Sequence, residues 1–407
     1  MTETGARPLE GLRVIDLTMW FQGPVAGQHL ADLGAEVIHF ENPKGGDLAR
    51  GISSIKALPV GDWNQYFLVI NRNKKSMAVD LNKPEGREIM HKLVETSDVF
   101  LTNLSARALQ KWDVGYERLA GINPRLVYAM GSGYGPKGTI TKPSFDMTVQ
   151  ALIGLMARQG EPGQPPVYLG MGSGDAMGGL MAAFGIMLAL NAREKTGRGQ
   201  FLDASLYGAQ LFMAAPSFLG YLATRNDRYS RQVSRKDADN PLTNTYPTSD
   251  GWLFLSMPNR DPAFAALCNA LGEAVLTREE RFATVGARRR NATALISELD
   301  TRFGAQPKQH WVDVFSEHGV TASPIGTLKD LSEDEQAWAN DYFVKTHCSQ
   351  VDREVTVRGL PVSFSKTPGR VEALGPELGQ DTELILFDTL GYDWDRIAEF
   401  KSTGAIL

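Results

Sequence analysis

The sequence predicts an α/β fold whose first half forms a doubly wound parallel sheet. Three observations support this prediction. Short apolar runs recur between residues 12 and 130, helical stretches separate them, and Gly34 stands between one helical stretch and the next apolar run. The alternation is typical of βαβ units, in which crossover helices join parallel strands. The strand-like runs are 12–18, 35–41, 76–81, 98–102 and 125–130, and the helical stretches are 24–33 and 84–96.

Each of these elements has a local reason. The run 12–18 contains adjacent β-branched residues, which favour a buried strand. Pro24 and Pro84 each suit the first turn of a helix, where a missing backbone N–H costs nothing. Gly34 is typical of the position just after a helix, so it predicts the end of the first one.

The second half of the chain changes character. Helical stretches are predicted at about 176–194 and 203–222, and a polar, charged segment at 225–240 reads as a linker. A strand at 251–257 and several short helices then predict a small α+β domain, and the tail, with a helix at about 381–390, is expected to pack back on the large domain. The predicted parts are 1–224 for the large domain, 225–330 for the small domain with its linker, and 331–407 for the return.

Composition narrows the class of protein. The 407 residues are 43% hydrophobic and 22% charged, with a formal charge of −5, and no extended basic run indicates a nucleic-acid partner. Cys268 and Cys348 have neither disulfide-framework nor zinc spacing, so we expect no metal and a reducing cytoplasm. The first eight residues lack an apolar signal region, and the most apolar run, 179–190, is too short to span a bilayer. We therefore expect a cytoplasmic protein without a membrane partner.

Asp175 is the most informative single residue. Glycines surround it at 170, 172, 174, 178 and 179, and an apolar helical stretch follows. Small neighbours allow a ligand to approach closely, and a helix N-terminus favours an ionised carboxylate that can attack an electrophile. The alternative is a helix cap, because aspartate is a preferred N-cap residue.

Two other motifs have competing interpretations. The run 133–138 matches GxGxxG, but Pro136 interrupts it and no helix is predicted to open there, so a turn is favoured over a dinucleotide site. The run 71–76 places three cations before a strand. It is either a solvated loop or a phosphate clamp, which Arg107 and Lys111 would extend. The six histidines form no metal spacing and are interpreted as structural or surface residues.

Five separate blocks of this sequence resemble the family III CoA-transferases. The resemblance covers nearly the whole chain, and it implies a Rossmann-like large domain made from both chain ends, a smaller inserted domain and an interlocked homodimer. It also implies CoA, supplied as an acyl-CoA substrate, and a carboxylic acid as the second substrate. The blocks are 9–17, 30–38, 73–76, 196–200 and 390–392.

The resemblance further implies roles for individual residues. Asp175 matches the catalytic aspartate, and Phe21 and Gln22 match positions beside the thioester, where Gln22 could donate to an oxyanion. Two departures are a proline-containing segment at 240–246 in place of a glycine-rich loop, and Asn42 in place of an arginine. The residues matching CoA-binding positions are Phe21, Gln22, Asn71, Arg72, Asn73, Lys74, Asn103, Leu104, Lys111, Lys142 and Asp146.

The resemblance implies CoA transfer through an aspartyl-CoA thioester and an acyl anhydride. The segment 331–343 looks like the branch that acts on 2-hydroxy acids such as phenyllactate and hydroxyisocaproate, and Trp20, Phe21 and Tyr66 could form aromatic walls. One alternative is an α-methylacyl-CoA racemase, but that family uses a histidine where this chain has Phe145. The other is a CoA-binding protein without transferase turnover.

Overall fold

The computed structural model describes residues 6–55 and 61–407 and groups them into two compact units. The first unit comprises residues up to 155, 168–216 and 336–407, and the second comprises 156–167 and 217–335. The predicted small domain, 225–330, corresponds to residues 217–335 of the second unit, whereas 156–167, predicted as part of the large domain, also groups with the second unit. Residues 1–5, on which part of the expectation about a leader rests, lie outside the described residues.

A six-stranded parallel sheet forms the centre of the first unit. Its spatial order is β3-β2-β1-β4-β5-β6, the order of a dinucleotide-type doubly wound sheet. Ile15 aligns with Ile38 on one side and Phe100 on the other. The strands are β1 Arg13–Leu17, β2 Glu36–Glu41, β3 Lys75–Ala78, β4 Val99–Thr102, β5 Val127–Met130 and β6 Phe201–Asp203.

Strand β6 differs from the sequence prediction, which begins a helix at residue 203. Gly199 explains the difference, because a Cβ there would lie 2.0 Å from the carbonyl oxygen of Leu126. The absence of a side chain lets residues 200–203 approach β5 and pair with it, and the helix begins only at Leu206. Residues 133–138 form a series of bends and no helix opens before Asp146, so this described segment lacks the strand–turn–helix arrangement of a dinucleotide site.

Helices cover both faces of this sheet. Alternate strand residues face two separate cores, one containing Ile15, Ile38 and Phe100 and the other Val14, Val37 and Leu101. Burial on both faces explains why the strands read as nearly continuous apolar runs. The helices are α1 Gln22–Asp32, α2 Ile52–Ile55, α3 Gln65–Ile70, α4 Pro84–Val94, α5 Ala106–Lys111, α6 Tyr116–Ile122, α7 Asp146–Leu152, α8 Ser173–Thr196 and α9 Leu206–Met213.

Helix α8 is longer than the sequence predicted. Its 24 residues make it, within the described part of the chain, the one helix long and apolar enough to cross a membrane by length and composition alone. The expectation that this region is too short to span therefore fails on length. Core helices pass the same test, and α8 packs its small residues against α1.

The second unit has its own core and a three-stranded antiparallel sheet. Tyr246, Leu253 and Phe303 are fully buried within it. Its strands are β7 Thr243–Thr248, β8 Gly251–Ser256 and β9 Ala322–Pro324. Its helices lie within α10 Ala215–Thr224, α11 Asp261–Ala270, α12 Val285–Arg290, α13 Ala292–Phe303, α14 Lys308–Glu317 and α15 Leu328–Ser332.

The C-terminal segment from residue 336 belongs to the first unit. Asp381 and Thr382 accept hydrogen bonds from the backbone of β3, which fixes the segment at that edge of the sheet. The predicted helix at 381–390 is a short α-helix followed by a π-helical turn, Ile385–Thr389, and a further helix comes after it. The elements are α16 Glu335–Ala339, β10 Phe343–Cys348, β11 Arg353–Arg358, α17 Thr382–Leu384 and α18 Trp394–Ser402.

Candidate active site

A cavity of about 420 Å³ opens at the carboxyl ends of the central strands. Strands β1 and β4 are neighbours. From β1 the chain adds β2 and β3 on one side, and from β4 it adds β5 and β6 on the other. The strand order therefore reverses between β1 and β4, which makes this the topological switch point where ligands bind in such folds. Its volume suits a small-molecule site. The lining residues are Met19, Trp20, Phe21, Gln22, Ile52, Tyr66, Asn103, Gly131, Gly133, Ser144, Phe145, Asp146, Met147, Met171, Asp175 and Leu206.

Helix α8 begins at this cavity. Gly172 occupies the N-cap position with φ +83°, a left-handed conformation that favours glycine. Asp175 is the third residue of the helix and its carboxylate makes no hydrogen bond within the described residues. The alternative that Asp175 caps the helix is therefore wrong: its side chain is free to face the cavity.

The capping carboxylate comes from Asp146 instead. Its two oxygens accept the backbone N–H groups of Gly172 at 2.6 Å and Gly174 at 3.2 Å. The amides of Gln150 and Gln210 donate to the same carboxylate at 3.0 and 2.8 Å. Asp146 is buried and satisfied by four donors, so it positions the start of α8 and offers little to a CoA molecule.

Gly174 completes this arrangement. A Cβ there would lie 1.9 Å from Nε2 of Gln210 and 2.4 Å from Oδ1 of Asp146, so only glycine leaves space for the cluster. Gln150 and Gln210 were not identified from the sequence. Each lies on a helix distant from residue 175 along the chain, and nothing in their local sequence indicates the partner that they meet.

Burial is the largest influence on the Asp175 carboxylate. Burial and, as the smaller cause, the negative charge of Asp146 together raise its pKa to about 7. The helix N-terminus was expected to keep this carboxylate ionised, but burial and the charge of Asp146 both favour its protonated form. A carboxylate with a pKa in this range is a stronger nucleophile, when ionised, than one with an ordinary pKa.

Gln22 begins α1 and is buried beside α8. Its side-chain Nε2 donates to the carbonyl oxygen of Ala204 at 2.9 Å, so one of the two amide hydrogens is already used. The second remains for an oxyanion. Close packing of the helices depends on small residues: a Cβ on Gly178 would lie 2.9 Å from Nε2 of Gln22, and one on Gly179 would lie 2.7 Å from its carbonyl oxygen.

The loop between β1 and α1 is fixed by side chains from elsewhere in the sheet. Asn103, which follows β4, accepts from the N–H of Met19 at 3.0 Å and donates to its carbonyl at 2.8 Å. The ring of Phe21 packs 5.4 Å from that of Tyr66. Asn103 and Phe21, both predicted from the sequence, therefore line the cavity together with Asp175.

The cationic run before β3 is placed elsewhere. Arg72 is fully buried and pairs with Asp32 at 2.7 Å, and Lys74 is nearly so and pairs with Asp16 at 2.7 Å. Asn71 accepts from Lys74, and Asn73 bonds Asp32 and the backbone at 370–373. These four residues are neither a solvated loop nor free donors, which argues against the phosphate-clamp interpretation.

Other predicted CoA contacts remain accessible. Lys142 and Arg107 are exposed and form no ion pair within the described residues, and Lys111 donates to Asn82 at 2.6 Å. Leu104 lines a smaller recess next to the main cavity, beside Trp112. Lys142, Arg107 and Lys111 are therefore better placed to bind a phosphate than the buried Arg72 and Lys74. The described residues contain no cluster of three or more side chains able to hold a metal ion.

Comparisons of the sequence and of the structure with known proteins lead to one family. The sequence profile described as CoA-transferase family III matches residues 9–382. The succinyl-CoA–D-citramalate CoA-transferase of Chloroflexus aurantiacus is 32% identical over 98% of both chains. The (R)-2-hydroxy-4-methylpentanoate CoA-transferase of Clostridioides difficile is 29% identical over 98% of this chain and 99% of its own. A crystal structure of a CAIB/BAIF family protein from Brucella suis matches with TM-score 0.82 and 31% identity, covering 94% of this chain and 99% of that one.

Proposed function

We propose a covalent mechanism for this chain, which belongs to CoA-transferase family III and so transfers CoA between an acyl-CoA and a carboxylic acid. Asp175 is the nucleophile. The observation that supports this assignment most directly is a carboxylate without hydrogen-bond partners, facing a cavity at the switch point of the sheet.

The steps conserve atoms and charge. The Asp175 carboxylate attacks the donor thioester, forming an acyl-aspartyl anhydride and releasing CoA thiolate. The thiolate attacks the aspartyl carbonyl, giving an aspartyl-CoA thioester and the free donor acid. The acceptor carboxylate then attacks that thioester, and the returning thiolate converts the new anhydride into the product acyl-CoA. The protein supplies orientation, with Gln22 donating to the developing oxyanion, and exclusion of water.

Trapping the intermediate tests this mechanism. We expect borohydride, added after an acyl-CoA, to convert Asp175 into homoserine, and hydroxylamine to convert it into a hydroxamate. Mass spectrometry of the peptide that spans 167–195 locates the change. Active transfer together with an unmodified peptide would exclude the aspartyl intermediate.

The pH dependence of the first step follows from the pKa of Asp175. Because the nucleophile is the carboxylate and its pKa is about 7, the rate of CoA release in a single turnover should rise with pH and reach half its maximum near pH 7. Rapid-quench measurements from pH 5 to 9 check this. A rate that is constant down to pH 5 would contradict a raised pKa at the nucleophile.

The residues that line the cavity indicate which class of acyl group it accepts. Its sixteen described lining residues include four aromatic residues and three methionines, and none of them is lysine, arginine or histidine. A second carboxylate, as in succinyl-CoA or citramalate, would need a cation or several donors. We therefore propose apolar or aromatic monocarboxylic acids, including branched 2-hydroxy acids, as substrates.

A substrate panel distinguishes these classes. We expect 2-hydroxy-4-methylpentanoate and phenyllactate to accept CoA with a kcat/KM about 100-fold above those of succinate and glutarate, because an unpaired buried carboxylate costs several kcal/mol. The thioester products are separated by chromatography. Equal or better activity with dicarboxylates would contradict the proposed substrate class while leaving the Asp175 mechanism untouched.

We also propose a homodimer, interlocked as the family resemblance implies. Helix α8 exposes Leu180, Phe184 and Leu188 at four-residue spacing, and Phe212 on α9 is 66% exposed. Apolar residues at that spacing form a continuous stripe, which in a soluble chain marks an interface.

Oligomeric state and subunit exchange test the dimer. Light scattering on the eluting protein should give twice the 44.6 kDa chain mass. Two differently tagged forms should copurify when co-expressed, and should not exchange when purified separately and mixed, because linked chains separate only on unfolding. Phe184→Asp should prevent dimer formation, whereas a monomeric wild-type protein would overturn the proposal.

A further inference from the structure

A cluster of buried charges contacts the loop that carries Trp20, one of the residues lining the active-site cavity. His39 on β2 is completely buried, with Nδ1 3.4 Å from Oδ2 of Asp16 and Nε2 3.7 Å from Oδ2 of Asp47. The ring of Phe67 packs 6.4 Å from the imidazole and is itself buried. The proposed reaction gives this histidine no role.

The positions of the two ring nitrogens indicate the protonation state. A neutral imidazole carries one N–H and one lone pair, so one nitrogen would face a carboxylate with its lone pair. Only the imidazolium presents an N–H to each carboxylate. Burial alone would lower the pKa of His39, but Asp16, Asp47 and Glu41 together raise it to about 9.

Charge balance within the cluster agrees with that state. With His39 protonated, three carboxylates meet three cations, and with His39 neutral a net negative charge would be buried, which is costly. Lys74 donates to Asp16 at 2.7 Å, and Arg50 pairs with Glu41 at 2.6 Å. The carboxylates are Asp16, Glu41 and Asp47, and the cations are His39, Lys74 and Arg50.

Asp47 connects the cluster to the cavity. Its Oδ1 accepts the backbone N–H of Trp20 at 3.2 Å and that of Ala49 at 2.9 Å, while Oδ2 faces His39. Trp20 has φ +69°, a left-handed conformation that is unfavourable for a non-glycine residue and persists only where its surroundings hold it. Trp20 lines the cavity that contains Asp175.

We propose that His39, held as an imidazolium between two carboxylates, is a positioning residue that keeps Trp20 in the wall of the acyl cavity. His39 touches no reacting atom and acts through Asp47. When the imidazolium loses its proton, Asp47 loses its partner and the strained backbone at Trp20 relaxes. The role in turnover rests on the proposed acyl site, whereas the protonation state does not.

Nuclear magnetic resonance of the wild-type protein tests the protonation state without reference to activity. With histidine labelled at the ring nitrogens, we expect an imidazolium signal that persists at pH 8 and is absent from His39→Gln. If no such signal exists at pH 8, the proposal is wrong, even if the Asp175 mechanism is right.

Kinetics and fluorescence test the positioning role. We expect His39→Gln to lower kcat/KM for acyl-CoA about 100-fold, as small misplacements of a cavity wall do, and His39→Lys, which restores a cation, to recover most of it. In the wild type, kcat/KM should fall above about pH 9, and this limb should move to higher pH in His39→Lys. The fluorescence emission of Trp20 is obtained by subtracting the spectrum of the Trp20→Phe protein. This emission should change in His39→Gln.

His347→Gln is the matched control, since this histidine is largely exposed on β10 and should change none of these readouts. A folded His39→Gln protein with wild-type kcat/KM and unchanged Trp20 emission would overturn the proposal. If His39→Gln does not fold, His39→Lys replaces it, both for assigning the imidazolium signal by its absence and for the pH limb of kcat/KM. Loss of the aspartyl adduct in wild-type protein would refute only the covalent mechanism, because the imidazolium and emission signals do not depend on it.

Discussion

Asp175→Asn should lower the rate of CoA transfer by three to four orders of magnitude, as removal of a catalytic carboxylate or nucleophile does. An amide has nearly the same shape as the carboxylate but cannot attack the thioester, so the binding of acyl-CoA should change little. Steady-state transfer and equilibrium binding of acyl-CoA measure the two effects separately. The variant should also fail to form the borohydride-trapped adduct.

The same substitution should make the protein more stable at pH 8. The folded-state pKa of Asp175, about 7, lies above the ordinary aspartate pKa of 3.8, so the stability linked to its proton is present below pH 4 and is lost as the pH rises through 7. Removing the charge should therefore raise the free energy of unfolding at pH 8 by roughly 2 to 4 kcal/mol. The difference should vanish near pH 4.

Asp203→Asn is the matched control for Asp175→Asn. Asp203 is another half-buried carboxylate whose pKa is raised by burial, but it lies outside the lining of the active-site cavity. It accepts from Ser132 at 2.9 Å, a bond that asparagine can keep. Near-wild-type transfer in Asp203→Asn, beside an inactive Asp175→Asn, assigns the effect to the nucleophile. Full activity in Asp175→Asn would refute the mechanism.

Asp146→Asn should have the largest effect on stability. The carboxylate accepts four N–H groups, whereas asparagine offers one acceptor oxygen and points an N–H₂ group at the remaining donors. We expect a loss of about 3 kcal/mol in the free energy of unfolding, measured with urea. Because the start of α8 shifts, kcat/KM should fall about 100-fold in the molecules that remain folded.

Asp146→Asn also separates the effect of the position of α8 from the effect of the negative charge beside Asp175. Removing the charge of Asp146 should lower the pKa of Asp175, so the acidic limb of the single-turnover rate should move to lower pH. Asp393→Asn provides the control, because Asp393 also caps a helix, accepting from Arg396 at 2.8 Å, far along the chain from the site. It should cost about 1 kcal/mol or less and leave transfer unchanged. Wild-type stability in Asp146→Asn would contradict the capping role.

Much of the fold could be predicted because its signals are local. The strands β1 to β5 are apolar runs buried on both faces, Pro24 and Pro84 lie in the first turns of α1 and α4, and Gly34 follows α1. Asp175 could be singled out for the same reason, since glycines and a following apolar helix lie directly beside it. Gln22, Phe21 and Asn103 follow the ends of strands, where parallel strands place their ligand-binding loops.

Buried charges were the least predictable part. The cations at 72 and 74 looked like a ligand clamp, yet their partners, Asp32 and Asp16, stand 40 and 58 residues away. A charged side chain in a short run can face water, a ligand or a distant carboxylate, and its neighbours in sequence do not distinguish these fates. The same holds for His39, which looked unremarkable as one of six histidines.

The sequence by itself determined the alternation of strands and helices, the family, and the carboxylate that we propose as the nucleophile, because each depends on residues adjacent in the chain. Only the tertiary structure decided that Asp146, 29 residues before Asp175, caps the helix and contributes to the raised pKa of Asp175. It also decided which cations remain exposed and which are paired inside. Electrostatic interactions depend on distance and burial in space, and both are set when the sheet and its helices pack together.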